Sequence, residues 1–442
     1  MQRTLKFVKY LPLCGWQPVV HTVSNPFWPL RDPTLLAELP PSVHVYRTPT
    51  FEFERLVRRT DGLLWRAQGN GDRNQARTPS PPTRGLLTGV LKALGEGVMR
   101  HVLVPDPQIA WVPGAFLRSV HLIRKERPAL LYTSAPPNSC QLLGLLLKRA
   151  FGLPWVADFR DPWTQGIRHK KAYAQSAVRR RLEETFERAV IRHADHIVVT
   201  TDKTREQFVS KYSWTPREKY SVITNGFDPA DFAAANSERA ESLLDPADFN
   251  VTCTGNIEAM FDALPFLGAL KALLDEDEEI AARLRVNLVG AKRGKYDAYI
   301  RDNGLERNVR YLGYVPHQTS LRYLVESDVL FLCQIPVLES AGTKLPGKLF
   351  EYLYLRKPIL GLTLPGPTTE ILSRSGLGVT VDPSDQAGIK KTLRDLYAQW
   401  RDGQGPPAVD EAFVDVFDRS QQSRRLAGLF DGVAGGRSEG TR

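Results

Sequence analysis

Gly342-Thr-Lys-Leu-Pro-Gly-Lys-Leu-Phe-Glu-Tyr-Leu-Tyr-Leu-Arg-Lys-Pro-Ile-Leu360 is the most informative stretch of this 442-residue chain. A small, basic turn runs into a short helical pattern over Lys348–Leu355. Arg356 and Lys357 follow at its carboxyl end, and a strand starts at Pro358. Unpaired N–H groups and the positive end of the helix dipole at Gly347 and Lys348 make an anion site. Lys344 and Lys348 add point charges suited to a diphosphate. Glu351, one turn into the helix, can accept both hydroxyls of a ribose. The same residues also read as an ordinary helix–strand unit, with both lysines in solvent and Glu351 only a charge near the helix start. The pattern alone leaves both readings open.

The flanking segments place this unit in a repeating order. Short apolar, β-rich runs each end in a small or polar cluster, with helical pattern between them. In the first half they are Pro18–Val23, Ala129–Thr133, Pro154–Ala157, His196–Thr200 and Tyr220–Thr224. In the second half they are Phe249–Thr254, Leu284–Val289, Val309–Leu312, Asp328–Cys333, Pro358–Leu362 and Gly378–Val381. Continuous apolar strands alternating with helices predict parallel sheets covered on both faces, an α/β chain of two doubly wound domains. Ligands on such sheets bind beyond the carboxyl ends of the strands.

The expected first domain spans residues 1–235 and contains a long loop, 68–84, rich in Gly, Arg, Pro and Ser. The second covers 248–410, the break falling within the polar, Ala-rich stretch 231–248. Residues 411–432 carry an interrupted amphipathic pattern that can pack back onto the first domain, and 433–442 read as a disordered tail. At the start, Leu5, Val8, Tyr10 and Leu11 recur at helical spacing. The chain thus opens inside a crossover helix, and the first β-strand of the N-terminal domain, with its Gly-rich turn, is expected to be missing.

Further candidate chemistry lies at other strand ends. Gly255 and Asn256 close the run from Val251, where a glycine lets the backbone approach a ligand and Asn256 donates and accepts. In the first half, Asp158, Arg160 and Asp161 stand just past an expected buried strand, flanked by Trp155 and Trp163. Two carboxylates around a guanidinium can bind sugar hydroxyls and neutralise developing charge, or they can form a buried ion pair that holds the loop. The eight histidines have no metal-ligand spacing, so neither a metal site nor a catalytic histidine is assigned.

Four scattered cysteines without a CxxC pair fit a reducing, cytoplasmic location. No stretch of about 18 uncharged apolar residues is present. The net charge of +10 is unevenly placed: residues 1–235 carry 34 Lys+Arg against 20 Asp+Glu, and the remainder 25 against 29. A basic half beside a mildly acidic one suits an anionic acceptor, an anionic membrane surface or nucleic acid, or simply a solvated helix face. No nucleic-acid motif accompanies the charge, so no specific nucleic-acid partner is expected.

Together these pieces resemble a GT-B glycosyltransferase close to family 4, the group 1 glycosyltransferases. The resemblance rests on Leu5–Pro12 with Gly15-Trp16, Pro154–Thr164, Ala194–Thr201, Val222–Asp228, Gly255, Val289-Gly290, Val309–Tyr314 and Lys344–Leu360. It implies two Rossmann-like domains facing a cleft, a nucleotide-sugar held by the C-terminal domain, and a carbohydrate or lipid-linked acceptor held by the N-terminal one. It further implies sugar transfer from a nucleotide-diphosphate donor with retention, in polysaccharide or glycolipid synthesis, by an enzyme peripheral to the inner face of the membrane. No cofactor or obligate metal is implied. Glu351 matches the family's second motif glutamate, which binds the donor ribose. The first would fall at Thr343, with Glu339 the nearest substitute. Lys344 and Lys348 stand in for the basic pair near the diphosphate, with Lys292 and Arg293 in reserve. Asp158 and Arg160 occupy the catalytic neighbourhood by position. A catalytically silent GT-B scaffold that binds a partner or carbohydrate is the alternative from another class.

Overall fold

Strands buried on both faces must satisfy every backbone group through neighbours in the sheet, and among the described residues five strands are buried at every position. The structure is a computed structural model and describes residues 2–26, 34–51, 103–165, 177–237, 241–255, 262–290, 294–334 and 345–435. The expected loop at 68–84 lies outside them, as do residues 436–442 of the expected tail, whereas 433–435 end the last helix. The strands are β1 (Val19–Val23), β2 (His44–Thr48), β3 (Leu131–Ala135), β4 (Trp155–Phe159), β5 (His196–Val199), β6 (Tyr220–Val222), β7 (Phe249–Thr254), β8 (Leu284–Val289), β9 (Val309–Gly313), β10 (Val329–Cys333), β11 (Ile359–Leu362) and β12 (Gly378–Val381).

Helices α1 (Gln2–Tyr10), α2 (Thr34–Ala37), α3 (Val112–Glu126), α4 (Ser139–Phe151), α5 (Ala177–His193), α6 (Asp202–Lys211) and α7 (Pro229–Ser237) belong to the first half of the sequence. Helices α8 (Leu264–Glu276), α9 (Glu278–Arg283), α10 (Asp297–Asp302), α11 (His317–Glu326), α12 (Gly347–Tyr354), α13 (Pro367–Ser375), α14 (Gln386–Arg401), α15 (Glu411–Asp415) and α16 (Arg419–Gly435) follow. Every described strand pair is parallel. The second half builds a six-stranded sheet in the order β12-β11-β10-β7-β8-β9, so its winding reverses between β7 and β10. The strands of the first half fall into β3-β4-β5-β6 and a separate pair, β1-β2.

Two differences from the sequence reading bear on the site. Strand β2 was not anticipated: His44-Val-Tyr-Arg-Thr has no continuous apolar run, and it pairs with β1 through half-exposed positions. Strands β3 and β4 extend two residues further than expected, with Ser134 level with Asp158 and Ala135 with Phe159. Asp158 therefore lies within a buried strand, not beyond it.

The halves are joined where two linkers cross. Phe227 N donates to Phe417 O (3.0 Å), and Arg419 N donates to Phe227 O (2.9 Å). The crossing is so close that a Cβ on Gly226 would sit 2.0 Å from Phe417 O. Helix α7, just after the crossing, sends Phe232 into the core formed by α11, α12 and β11. Helix α16 returns to the first half, where Leu426, Ala427 and Phe430 pack with Phe7, Leu11, Val156 and Val198.

Candidate functional site

The reversal of winding between β7 and β10 opens a crevice at the carboxyl ends of those strands, and α12 lies against it. Gly255 ends β7 with φ +97°, a left-handed conformation that a side chain disfavours, and its N–H donates to Val289 O. Helix α12 carries Lys348 and Tyr352 one turn apart, so both reach the same strand end. Lys348 Nζ donates to Thr254 O (3.1 Å) and approaches Cys253 Sγ (3.2 Å). Thr254 N donates to Tyr352 Oη (3.0 Å). The Lys348 ammonium is thus turned onto β7 beside Gly255, rather than into solvent. Gly347, at the helix start, is exposed.

Burial opposes the charge on Lys348, yet Cys253 and Cys333 beside it raise its pKa above the ordinary lysine value. The Cys333 hydrogen bond, with the lysine charge, draws the Cys253 thiol below its usual value. Glu351, three residues after Lys348, is half-buried and has no hydrogen bond or ion pair among the described residues. Burial pushes its carboxyl above the usual range, while the charge of His317 opposes the rise. Asn256, Lys344, Lys292, Arg293, Thr343 and Glu339 lie outside the described residues.

Across the crossing, the first-half candidates are engaged. Asp158 is 0% exposed. Arg3 Nη2 donates to its Oδ1 (3.0 Å), and Arg3 Nε and Ser134 Oγ to its Oδ2 (3.2 and 2.7 Å). Arg160 Nε donates to Ala135 O (3.1 Å) and Nη2 to Pro136 O. Asp161 is half-buried and also engaged. Asp158 is thus in a buried ion pair, but with Arg3 of α1 and not with Arg160 of its own segment, which bonds to backbone carbonyls.

The sequence reading passed over a charged network between the halves. Lys6 pairs with Glu38, Asp228 and Asp231, and Lys9 and Tyr10 reach Asp228 (2.8 and 2.6 Å). Glu38, Asp228 and Asp231 stand close enough to hold a cation, and the Lys6 ammonium already supplies the counter-charge. His317, at the start of α11, lies 3.1 Å from Gln2 Nε2 and 3.9 Å from Asp231 Oδ2 through its Nε2. Burial alone would lower its pKa, but the Asp231 hydrogen bond and the Glu351 charge raise it. One signal for this network was available: Arg3, Lys6 and Tyr10 repeat at helical spacing around Phe7, on the buried side of α1. His317 carries no such pattern.

The chain matches two families: a glycosyl transferase 4-like domain over residues 2–226, and glycosyl transferases group 1 over residues 248–399. No curated protein matches it in sequence. Its fold is similar to a sucrose-phosphate synthase from Thermosynechococcus elongatus, with TM-score 0.53 and 14% identity, covering 98% of this chain and 90% of that one. It is also similar to WaaG, a glycosyltransferase involved in lipopolysaccharide biosynthesis, with TM-score 0.53 and 12% identity over 99% and 94% of the two chains. A third similar structure is Anabaena HepE in complex with UDP and glucose, with TM-score 0.51 and 14% identity over 99% and 94%.

Proposed function

The chain belongs to the group 1 glycosyltransferases of GT-B fold, and from that premise we propose that it transfers a sugar from a nucleotide-diphosphate donor to an acceptor hydroxyl with retention. The observation that carries this reading is Glu351, a half-buried carboxylate with no hydrogen bond or ion pair among the described residues, on the helix that borders the β7–β10 crevice. The donor ribose donates its two hydroxyls to Glu351. Lys348, three residues nearer the helix start, turns from Thr254 O to the diphosphate, where the free N–H groups of α12 meet the same charge. Loss of the diphosphate is then stabilised by protein donors already in place. The UDP and glucose in the HepE structure support a nucleotide-sugar as donor.

Asp158 acts in this scheme as a positioning residue, holding α1 through Arg3. The acceptor is a glycolipid or a growing polysaccharide that meets the basic first half. The role of WaaG in lipopolysaccharide biosynthesis supports that class. Helix α3 offers an approach to an anionic membrane, with Leu117, Arg118, Arg124 and Lys125 all exposed.

The test is donor hydrolysis and transfer with a panel of UDP-, GDP- and ADP-sugars, comparing the wild-type chain with Glu351→Ala and Lys348→Ala. Loss of donor binding in Glu351→Ala is expected. Equal binding and turnover in both variants would remove the site. Donor binding without transfer to any acceptor would favour the silent scaffold.

A further inference from the structure

Among the described residues, strands β7 and β10 pair at two positions, Val251 with Val329 and Thr252 with Leu330. Both strands run on past this ladder, to Thr254 and Cys333. Their other neighbours stay paired to the ends: β8 follows β7 as far as Thr254 with Val289, and β11 follows β10 as far as Cys333 with Leu362. The split is therefore confined to the β7–β10 seam, where the winding of the sheet reverses.

Side chains of α12 stand in this split. Backbone groups alternate between the two sides of a strand. Gly255 N donates to Val289 O on the β8 side (2.7 Å), so the Thr254 N–H faces β10. Leu330 N donates to Pro358 O on the β11 side (2.9 Å), so the Phe331 carbonyl faces β7. Continued in register, the next ladder bond would run from Thr254 N to Phe331 O. Instead Thr254 N donates to Tyr352 Oη (3.0 Å), and Tyr352 Oη donates to Phe331 O (3.4 Å). The bond after it would join Thr254 O to the Cys333 N–H. There Lys348 Nζ donates to Thr254 O (3.1 Å), against Cys253 Sγ (3.2 Å). Two side chains one turn apart on α12 thus take two successive places in the ladder. Tyr352 is fully buried, and its two bonds in series span what a single bond of about 2.9 Å normally closes.

We propose that Tyr352 is a positioning residue for the donor diphosphate: its hydroxyl keeps the β7–β10 seam open at the width that seats the Lys348 ammonium beside Gly255. The inference rests on the assignment of Lys348 to the diphosphate and extends it to what sets the lysine in place. Without the hydroxyl, the buried Thr254 N–H and Phe331 carbonyl are satisfied by closing on each other. The strands then approach ladder spacing, about 4.8 Å, and Lys348 loses its seat on Thr254 O.

The experiment is calorimetric titration of the full chain with UDP, GDP and ADP, carrying forward the tightest binder and following its nucleoside beside it by ligand-observed NMR. The variants are Tyr352→Phe, Lys348→Met and the two combined. Tyr352→Phe should weaken the diphosphate about tenfold, the scale of one charge-assisted hydrogen bond, and leave the nucleoside unchanged. General damage to the fold would weaken both alike. In the Lys348→Met background, Tyr352→Phe should cost nothing more, because the group it places is gone.

If Lys348→Met weakens the diphosphate and Tyr352→Phe does not, the positioning role is overturned and the diphosphate assignment stands. If Lys348→Met binds the diphosphate normally, or none of the three binds the wild type, both fall. Equal losses for diphosphate and nucleoside in Tyr352→Phe, or additive losses in the double variant, also overturn the proposal. Should Tyr352→Phe fail to fold, a crystal structure of the wild-type chain with the same diphosphate decides. Tyr352 Oη is expected still between Thr254 and Phe331, with Lys348 Nζ moved to the phosphate. A direct bond from Thr254 N to Phe331 O in that structure overturns the proposal.

Discussion

Arg3 and Asp158 show how one residue changes meaning when its partner is found 155 positions away. Beside Trp155 and Arg160, Asp158 suggested sugar chemistry. Beside Arg3 and Ser134 it is a carboxylate with both oxygens occupied and no exposure. Removing one member of such a pair leaves a buried charge. Asp158→Asn is expected to lower the unfolding free energy by about 3–5 kcal/mol, read by urea titration. A loss below about 1 kcal/mol would place the pair in the range of a surface ion pair. Asp228 makes a second prediction. Burial would raise its carboxyl, but hydrogen bonds from Lys9, Tyr10 and Lys6 outweigh it and bring the pKa down to about 2. The folded value lies below the unfolded one, so this contribution is present above about pH 4 and is lost as pH falls toward 2. Stability measured across that window should fall less steeply in Asp228→Asn than in the wild type. Glu351 and Lys348 could be singled out from sequence because the anion-site argument is local to one helix start.

At the scale of elements, legibility followed burial. Strands β7 and β8, buried at every position, coincide with the apolar runs that named them, and α12 differs by one residue at each end. Strand β2 escaped because its half-exposed residues give no unbroken apolar signal. Strands β3 and β4 end two residues later than expected because ladder bonds to each other carry Ser134 and Asp158 inward, and Arg3 makes the burial of Asp158 tolerable. The crossing of the linkers was equally hidden in the sequence. Its glycine, Gly226, is required by the nearness of Phe417 O, 2.0 Å from where a Cβ would be. Gly226→Ala should therefore destabilise the fold by about 1–3 kcal/mol through overpacking. Its thermal unfolding midpoint should drop, and the angle between the halves, followed by small-angle scattering, should shift. An unchanged midpoint would mean that the linkers slide apart freely.

For the whole molecule, the charge asymmetry predicts where an anionic surface is met. Among the described residues no helix is long and apolar enough to cross a membrane. The attachment proposed for α3 is electrostatic, with a small apolar contribution from the exposed Leu117. Sedimentation with vesicles containing phosphatidylglycerol should show binding that weakens with salt. It should be reduced when Arg118, Arg124 and Lys125 are replaced by Gln, and binding indifferent to both would exclude this face. The sequence by itself determined the two doubly wound halves, because continuous apolar strands between amphipathic helices have few other ways to bury their surface. It also marked the start of α12 as an anion site, since a helix terminus carries its own partial charge. Only the tertiary structure decided which charges were available. Ion pairing depends on distances between residues hundreds of positions apart, and it closed Asp158 with Arg3, filled the acidic cluster with Lys6, and left Glu351 without an ion pair among the described residues.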